Sequence, residues 1–262
     1  MFSIEPNERV TFKVCYEDDD LLVVAKPARR VTLPGVGHER DTLLNGLFVD
    51  YGPKLQNLGA MRDFGLLHRL DRETSGLVVV ALSQNAYDGV RAAFAERKVR
   101  KFYWAVTHKA PAQKEGVIRL PIEESVERHS RYSTTKTARA VRRGSAGKAA
   151  LTAYRVIHES DSAALIEARP VTGRLHQVRV HLSAIGATVL GDDMYGPRRA
   201  DNASPRLALH AHRVAFAHPV TGEPIDVKLG WPSDLRSLLR RFELPRPDLM
   251  DQTQRGDAES AE

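Results

Sequence analysis

The chain has 262 residues, 42% of them hydrophobic and 27% charged, with a net charge of +6, so it is long enough to bury a core as one large domain or two small ones. A single cysteine, Cys15, excludes an internal disulfide, and no stretch approaches the roughly 18 apolar residues of a membrane span. The opening "MFSIEPNERV" lacks the apolar run of a signal peptide, so a cytoplasmic protein without membrane attachment is expected.

"VTFKVCYEDDDLLVVAKP" alternates Phe12, Val14 and Tyr16, turns through three acids and resumes as an apolar run, which predicts a β-hairpin. "GLVVVALS" predicts a buried strand. "SQNAYDGVRAAFAERKV" places Tyr87, Val90 and Phe94 on one helical face, and "RKFYWAVTHK" returns to strand before Pro111. From Thr135 to Val156, two strands are expected around the Gly-rich "RRGSAGK". "TGRLHQVRVHLSAIG" spaces Leu175, Val178, Leu182 and Ile185 as the apolar stripe of a short helix, starting after Thr172 and stopped by Gly186.

"LALHAHRVAFAHP" alternates as a strand, and "SDLRSLLRRF" predicts a last helix capped by Ser233. Residues 244–262 are Pro-punctuated and polar and are expected to be a disordered acidic tail; residues 1–10 read as a lead-in and 11–243 as one domain. The stretch "DLMDQTQRGDAESAE" holds five acids and one Arg, so the remainder is more basic than the whole, at about +10, which suits a polyanionic partner. Strands outnumber helices and several are joined by hairpins, so the fold class is α+β, built on a large antiparallel or mixed sheet.

Four clusters could carry chemistry. In "LLHRLDRETSG", Asp71 follows an apolar pair and is flanked by His68, Arg69 and Arg72. It reads either as a surface ion pair, worth little, or as a placed carboxylate beside a tight Thr74-Ser75-Gly76 turn, where small residues admit another backbone or a ligand. "GRLHQVRVH" offers Arg174, His176 and Gln177 near a helix start. Its alternative is a solvated helix face, and His176 and His181, five apart, do not converge on a metal as an i,i+4 pair would.

"ERKVRKFYWAV" sets Arg97, Lys98, Arg100 and Lys101 before Tyr103 and Trp104, which suits phosphate contact with base stacking and equally a solvated helix end beside a buried strand. His210 and His212 in "LHAHR" share one strand face, a spacing that metal sites use. They are the basis of a metal-dependent hydrolase as an alternative; structural histidines are the plainer reading.

Taken together, these blocks resemble the RluA-type RNA pseudouridine synthases. "HRLDRETSG" is similar to the family's signature motif in full, "KFYWAV" to its second motif, and "GRLHQVRVHL" with "GDDMYG" to its third. "YEDDDLLVVAKPA" and "LALHAHRVAFAHPVTGE" resemble the flanking blocks, so the likeness runs from about residue 10 to about residue 232. It implies a mixed, mainly antiparallel sheet flanked by helices with a central RNA-binding cleft. It also implies that Asp71 is the catalytic aspartate, Tyr103 the tyrosine that packs on the target base, Arg174 the basic residue paired with the aspartate, and Arg69 the residue that helps displace the uridine.

Pseudouridylation breaks the N1–C1′ bond of uridine, turns the uracil and rejoins it through C5 without redox change, so the resemblance implies no cofactor and no metal. Where the family usually carries Gly and an apolar pair after "KPA", this chain has Arg29 and Arg30, which become candidates for RNA contact with Arg97, Lys98, Arg100, Lys101, Arg142 and Arg143. "GATVLGDD" also replaces the usual His-Pro. His68, Arg72, Thr74, Ser75, Gly76, His176 and Gln177 complete the candidate substrate-binding set. With the first strand expected some ten residues in, binding should rest on the catalytic domain itself. The implied partner is ribosomal RNA, slightly favoured over transfer RNA, and the implied state a monomer. A catalytically silent RNA-binding relative is the other alternative.

Overall fold

A computed structural model describes residues 3–130, 133–141, 147–197 and 204–249. The chain divides into two compact units: residues 1–102, 124–137 and 211–229, and residues 103–123, 138–210 and 230–262. Arg142 and Arg143, the Gly-rich loop around them and most of the acidic tail lie outside the described residues.

In the first unit, β1 (Lys13–Glu17) and β2 (Leu21–Lys26) form the expected hairpin. Its acidic turn is set by Asp18, whose Oδ1 accepts from the backbone N–H groups of Asp20 and Leu21 at 2.9 and 2.7 Å. β2 pairs antiparallel with β3 (Ser75–Ala81), and every residue of β3 is buried, which explains its unbroken apolar run. β10 (Leu209–Ala217) pairs antiparallel with β11 (Pro224–Lys228), Phe216 opposite Ile225. α2 (Gln84–Ala95) is capped by Ser83, whose Oγ accepts from the Ala86 N–H, and lays Tyr87 and Val90 into a core with Val23, Val79, Phe216 and Ile225.

Helix α1 (Leu43–Leu58) has no counterpart in the sequence reading, because Gly46, Gly52 and Pro53 interrupt its pattern. It forms nonetheless: Thr42 and Asn45 make a reciprocal capping box, and Leu43, Leu44, Leu47, Phe48, Leu55 and Leu58 are buried.

In the second unit, the strand order is β4 (Arg100–Thr107), β9 (Ala164–Pro170), β8 (Thr152–Glu159), β5 (Glu115–Ile118), with antiparallel register throughout. β6 (Ile122–Ser130) pairs with β7 (Ser133–Ala140) as a separate two-stranded sheet, of which residues 124–137 belong to the first unit. The two strands expected around the Gly-rich loop, β7 and β8, therefore exist but belong to different sheets.

Three local expectations need correction. α3 spans Gln177–Ala184, starting several residues after Thr172, because His176 adopts a left-handed conformation (φ 51°, ψ 23°) that a helix cannot continue. Its residues 177–182 are all buried, so it is not a solvated face. Ser233 caps no α-helix; residues Ser233–Leu235 form a 3-10 turn leading into α4 (Arg236–Arg241).

The Thr-Ser-Gly turn is displaced too. The tight turn is Asp71–Thr74, closed by Thr74 N–H donating to the Asp71 carbonyl at 3.1 Å, while Ser75 and Gly76 already belong to β3. Gly76 is required there: φ is +127°, and a Cβ would lie 2.3 Å from the Ala211 carbonyl oxygen of β10. Gly76→Ala should lower stability by about 3 kcal/mol, a fall of about 10 °C in Tm measured by calorimetry. A melt within a degree or two of wild type would refute this close contact.

Candidate active site

Asp71 is half-buried on a segment running from Leu66 to Thr74, held to the first unit by main-chain bonds on each side. Upstream, Leu67 N–H donates to the Val79 carbonyl at 3.4 Å, and His68 Nε2 accepts from the Val79 N–H at 3.0 Å. Adjacent to Asp71, Leu70 is bonded through both its N–H and its carbonyl to the Thr32 hydroxyl, at 3.3 and 3.0 Å. On the other side, the Arg72 carbonyl accepts from Lys26 Nζ at 3.3 Å.

Lys26 is 1% exposed, and its ammonium also donates to the carbonyls of Pro27 and Arg30 at 2.9 and 2.7 Å. A buried ammonium needs such acceptors in place of water. Arg29 adopts φ +61° between these carbonyls, the left-handed conformation that a glycine holds without strain. The family's usual glycine and this chain's arginine thus both fit a left-handed residue. Arg29 is exposed, while Arg30 turns back and donates to the Asp41 carbonyl.

His68 uses Nε2 as an acceptor, so Nδ1 carries the proton; that atom is buried with no hydrogen-bond partner among the described residues. The ring lies 5.6 Å from the Phe94 ring. Burial, helped by the positive charge of Lys101, holds the His68 pKa down to about 3. His68 is thus neutral and holds the Val79 main chain.

Among the other candidates, Arg69 and Arg72 are exposed, Arg72 pairing with Glu73 at 3.6 Å, whereas Thr74 and Ser75 are buried. Arg97 and Arg100 are exposed, and Lys98 pairs with Glu96. Lys101 lies over the Phe94 ring at 5.3 Å, and burial brings its pKa down to about 8.

The second unit holds Tyr103 and Arg174. Tyr103 is buried in β4 opposite Ala168 of β9. Arg174 is half-buried, with its backbone N–H donating to Gln177 Oε1 at 3.0 Å and its Nε to the Ala149 carbonyl at 3.0 Å. Gln177 is 4% exposed and fully engaged: Oε1 also accepts from the Thr172 hydroxyl, and Nε2 donates to the Leu151 carbonyl and to Thr152 Oγ1. Its role is to shape the Thr172–His176 segment.

The pattern of "GRLHQVRVH" does not tell where the Arg179 side chain lies or what it pairs with. Arg179 is buried and pairs bidentately with the buried Asp192 at 2.8 Å on both bonds, while its guanidinium lies 5.0 Å over the Tyr195 ring. The Tyr195 hydroxyl meets His176 Nδ1 at 2.8 Å and accepts from the Ala138 N–H at 3.1 Å. "GDDMYG" therefore ties α3, the Arg174 segment and β7 together. Gly191, which opens this stretch, has φ +72° and packs against the Arg206 carbonyl, where a Cβ would lie 2.2 Å away.

His210 packs on Trp104 and His212 near Phe102, as ring contacts. Among the described residues no group of three or more His, Cys, Asp or Glu side chains could hold a metal ion. No helix among them is long and apolar enough to cross a membrane.

A family model described as RNA pseudouridylate synthase matches residues 20–184, the stretch that contains β2, the Asp71 segment, Tyr103 and α3. The chain belongs to this family. The synthase is 36% identical over 243 residues to a ribosomal large subunit pseudouridine synthase D of Zymomonas mobilis, covering 90% of this chain and 74% of that one. It is 35% identical to an uncharacterized RNA pseudouridine synthase of Bacillus subtilis, with the same coverage. Among solved structures, human RNA pseudouridylate synthase domain containing 4 superposes with a TM-score of 0.67 at 28% identity, over 89% of this chain and 94% of that one. The RluA-type resemblance, the α+β fold and the assignment as an RNA-modifying isomerase hold on these grounds.

The His68 environment gives the synthase an acid limit. The unfolded chain binds a proton at this imidazole as pH falls through about 6.5, whereas the native state resists it down to about 3, so stability present above pH 6.5 is lost progressively on acidification. His68→Gln, which keeps an acceptor for Val79, should flatten the fall in Tm between about pH 6.5 and pH 5. An unchanged slope would contradict a neutral, buried His68.

Proposed function

We propose that Asp71 is the catalytic carboxylate of the synthase, that Tyr103 packs on the extruded uracil and that Arg174 pairs with the aspartate during the reaction. The observation that carries this reading is the nine-residue stretch "HRLDRETSG", similar to the family signature over its whole length, with Asp71 at its centre. The half-exposed Asp71 on a tightly held segment is consistent with it, since a reacting group needs a fixed position and access to substrate.

The reaction breaks the N1–C1′ bond and forms a C5–C1′ bond; C5 loses its proton and N1 takes one, so the base is isomerised with no oxidant, reductant or departing group. A carboxylate beside the sugar and base can attack C1′, add to the uracil ring or remove the C2′ proton, and each route uses the same group. The target uridine must leave its stack, at a cost of about a few kcal/mol, less when it is already unpaired. Arg69, exposed two residues before Asp71, is the group we assign to displacing it.

We further propose ribosomal RNA as the substrate, ahead of transfer RNA. The support is that relatives from Zymomonas mobilis and Haemophilus influenzae, at 36% and 35% identity, are named ribosomal large subunit pseudouridine synthases. The exposed Arg29, Arg97 and Arg100 supply positive charge for the phosphate backbone.

The test is turnover of ribosomal and transfer RNA transcripts by purified wild-type and Asp71→Asn protein, with RNA affinity measured alongside. Asp71→Asn should lose at least about a thousandfold in rate while its affinity stays within about threefold. A substantially active Asp71→Asn would refute the catalytic assignment, and a wild type that binds RNA without turnover would favour the silent-binder alternative.

A further inference from the structure

Asp71 is flanked by two residues whose main chains are held by the end of β2 and by the loop that follows it, and the two attachments differ in kind. Lys26 holds the Arg72 carbonyl with an ammonium that also donates to the Pro27 and Arg30 carbonyls, so its geometry is permissive. Thr32 holds Leu70 with one hydroxyl that donates to the Leu70 carbonyl at 3.0 Å and accepts from the Leu70 N–H at 3.3 Å. A hydroxyl that both donates to and accepts from a single residue fixes the two peptide planes around it, the second of which is the peptide that leads into Asp71.

Thr32 is 2% exposed, so water cannot replace the hydroxyl at either bond. The loop that delivers it is itself fixed, by the left-handed Arg29 and by the N–H groups of Leu43 and Leu44 donating to the carbonyls of Val31 and Thr32 at 2.8 and 3.2 Å.

We propose that Thr32 is a positioning residue for pseudouridylation: its hydroxyl sets the orientation of the peptide that carries Asp71, and through it the place of the carboxylate. This rests on Asp71 being the catalytic group. The side chain touches neither substrate nor the carboxylate in this role; it acts only through the Leu70 main chain. A misplacement of about 1 Å at a reacting group can cost about a hundredfold in rate without weakening binding, because binding is spread over many contacts and the chemistry is not.

The experiment compares wild type with Thr32→Val, Thr32→Ser and Asp71→Asn under single-turnover conditions on one RNA, with RNA Kd and thermal melting measured for each. Thr32→Val keeps the shape of the side chain and removes the hydroxyl. It should slow the chemical step by about ten- to a hundredfold with Kd within about twofold of wild type, and Thr32→Ser should recover most of the rate.

If Thr32→Val does not fold, Thr32→Ala is read by the same criteria. A hydroxyl-free variant as fast as wild type overturns the proposal, and so does one that loses rate and RNA affinity in parallel or is not rescued by serine. The Asp71→Asn arm separates the two failures: an inactive Asp71→Asn beside a fully active Thr32→Val removes only Thr32, whereas an active Asp71→Asn removes the catalytic reading on which it rests.

Discussion

Hydrogen bonding between the Asp71 segment and its own β-sheet is the constraint on which the first unit is organised. An extended segment with no regular secondary structure leaves its N–H and carbonyl groups to be satisfied one at a time. Here Val79 satisfies Leu67 through its carbonyl and His68 through its N–H, Thr32 satisfies Leu70, and Lys26 satisfies Arg72. Each of those partners is fixed by burial: Lys26 and Thr32 are almost fully enclosed, and Val79 lies in the middle of a strand with no exposed residue. The neutrality of His68 belongs to the same arrangement, since only an unprotonated Nε2 can accept the Val79 N–H.

The second unit solves a similar problem with side-chain amide, guanidinium and hydroxyl groups. Gln177 spends all of its hydrogen-bonding capacity on the segment around Arg174 and on β8. Arg179 and Asp192 form a buried bidentate pair, and Asp192 Oδ1 also accepts from the N–H groups of Met194 and Tyr195 at 3.1 and 3.0 Å, so both charges are well compensated. His181 continues the pattern: its Nδ1 meets Thr152 Oγ1 and its Nε2 the Leu120 carbonyl, both at 2.9 Å, and burial lowers its pKa. The polar groups of Gln177, Arg179, His181 and Asp192 are thus satisfied within the second unit.

The strands with simple periodicity were legible in the sequence: β1 and β2 from alternation around an acidic turn, β3 from its apolar run, and α2 from Tyr87, Val90 and Phe94. α1 was not, because glycine and proline lower its local preference and its stability comes from the Thr42–Asn45 cap and tertiary burial, which the sequence displays only as scattered leucines. The late start of α3 depends on one left-handed residue, His176, a conformation that histidine favours more than most residues do but that spacing does not reveal.

At the site, the motif made Asp71, Tyr103 and Arg174 stand out, while Thr32 and Lys26 were silent. A threonine and a lysine whose partners are main-chain atoms leave no pattern in side-chain spacing; the partners of Thr32 and Lys26 lie 38 and 46 residues away. His68 and Gln177 stand out in the sequence only as members of a motif, and the partners their side chains hold in the fold, the Val79 N–H for His68 and Thr172, Arg174, Leu151 and Thr152 for Gln177, could not be read from spacing.

The most direct test of an Asp71-dependent RNA pseudouridine synthase is to map pseudouridines in total RNA from cells with and without the gene, complemented by wild type or by Asp71→Ala. The expected result is that one or a few sites, in ribosomal RNA, vanish on deletion and return only with wild type. Restoration by Asp71→Ala would contradict the catalytic role of that residue, and no change at any site would contradict the activity in that cell.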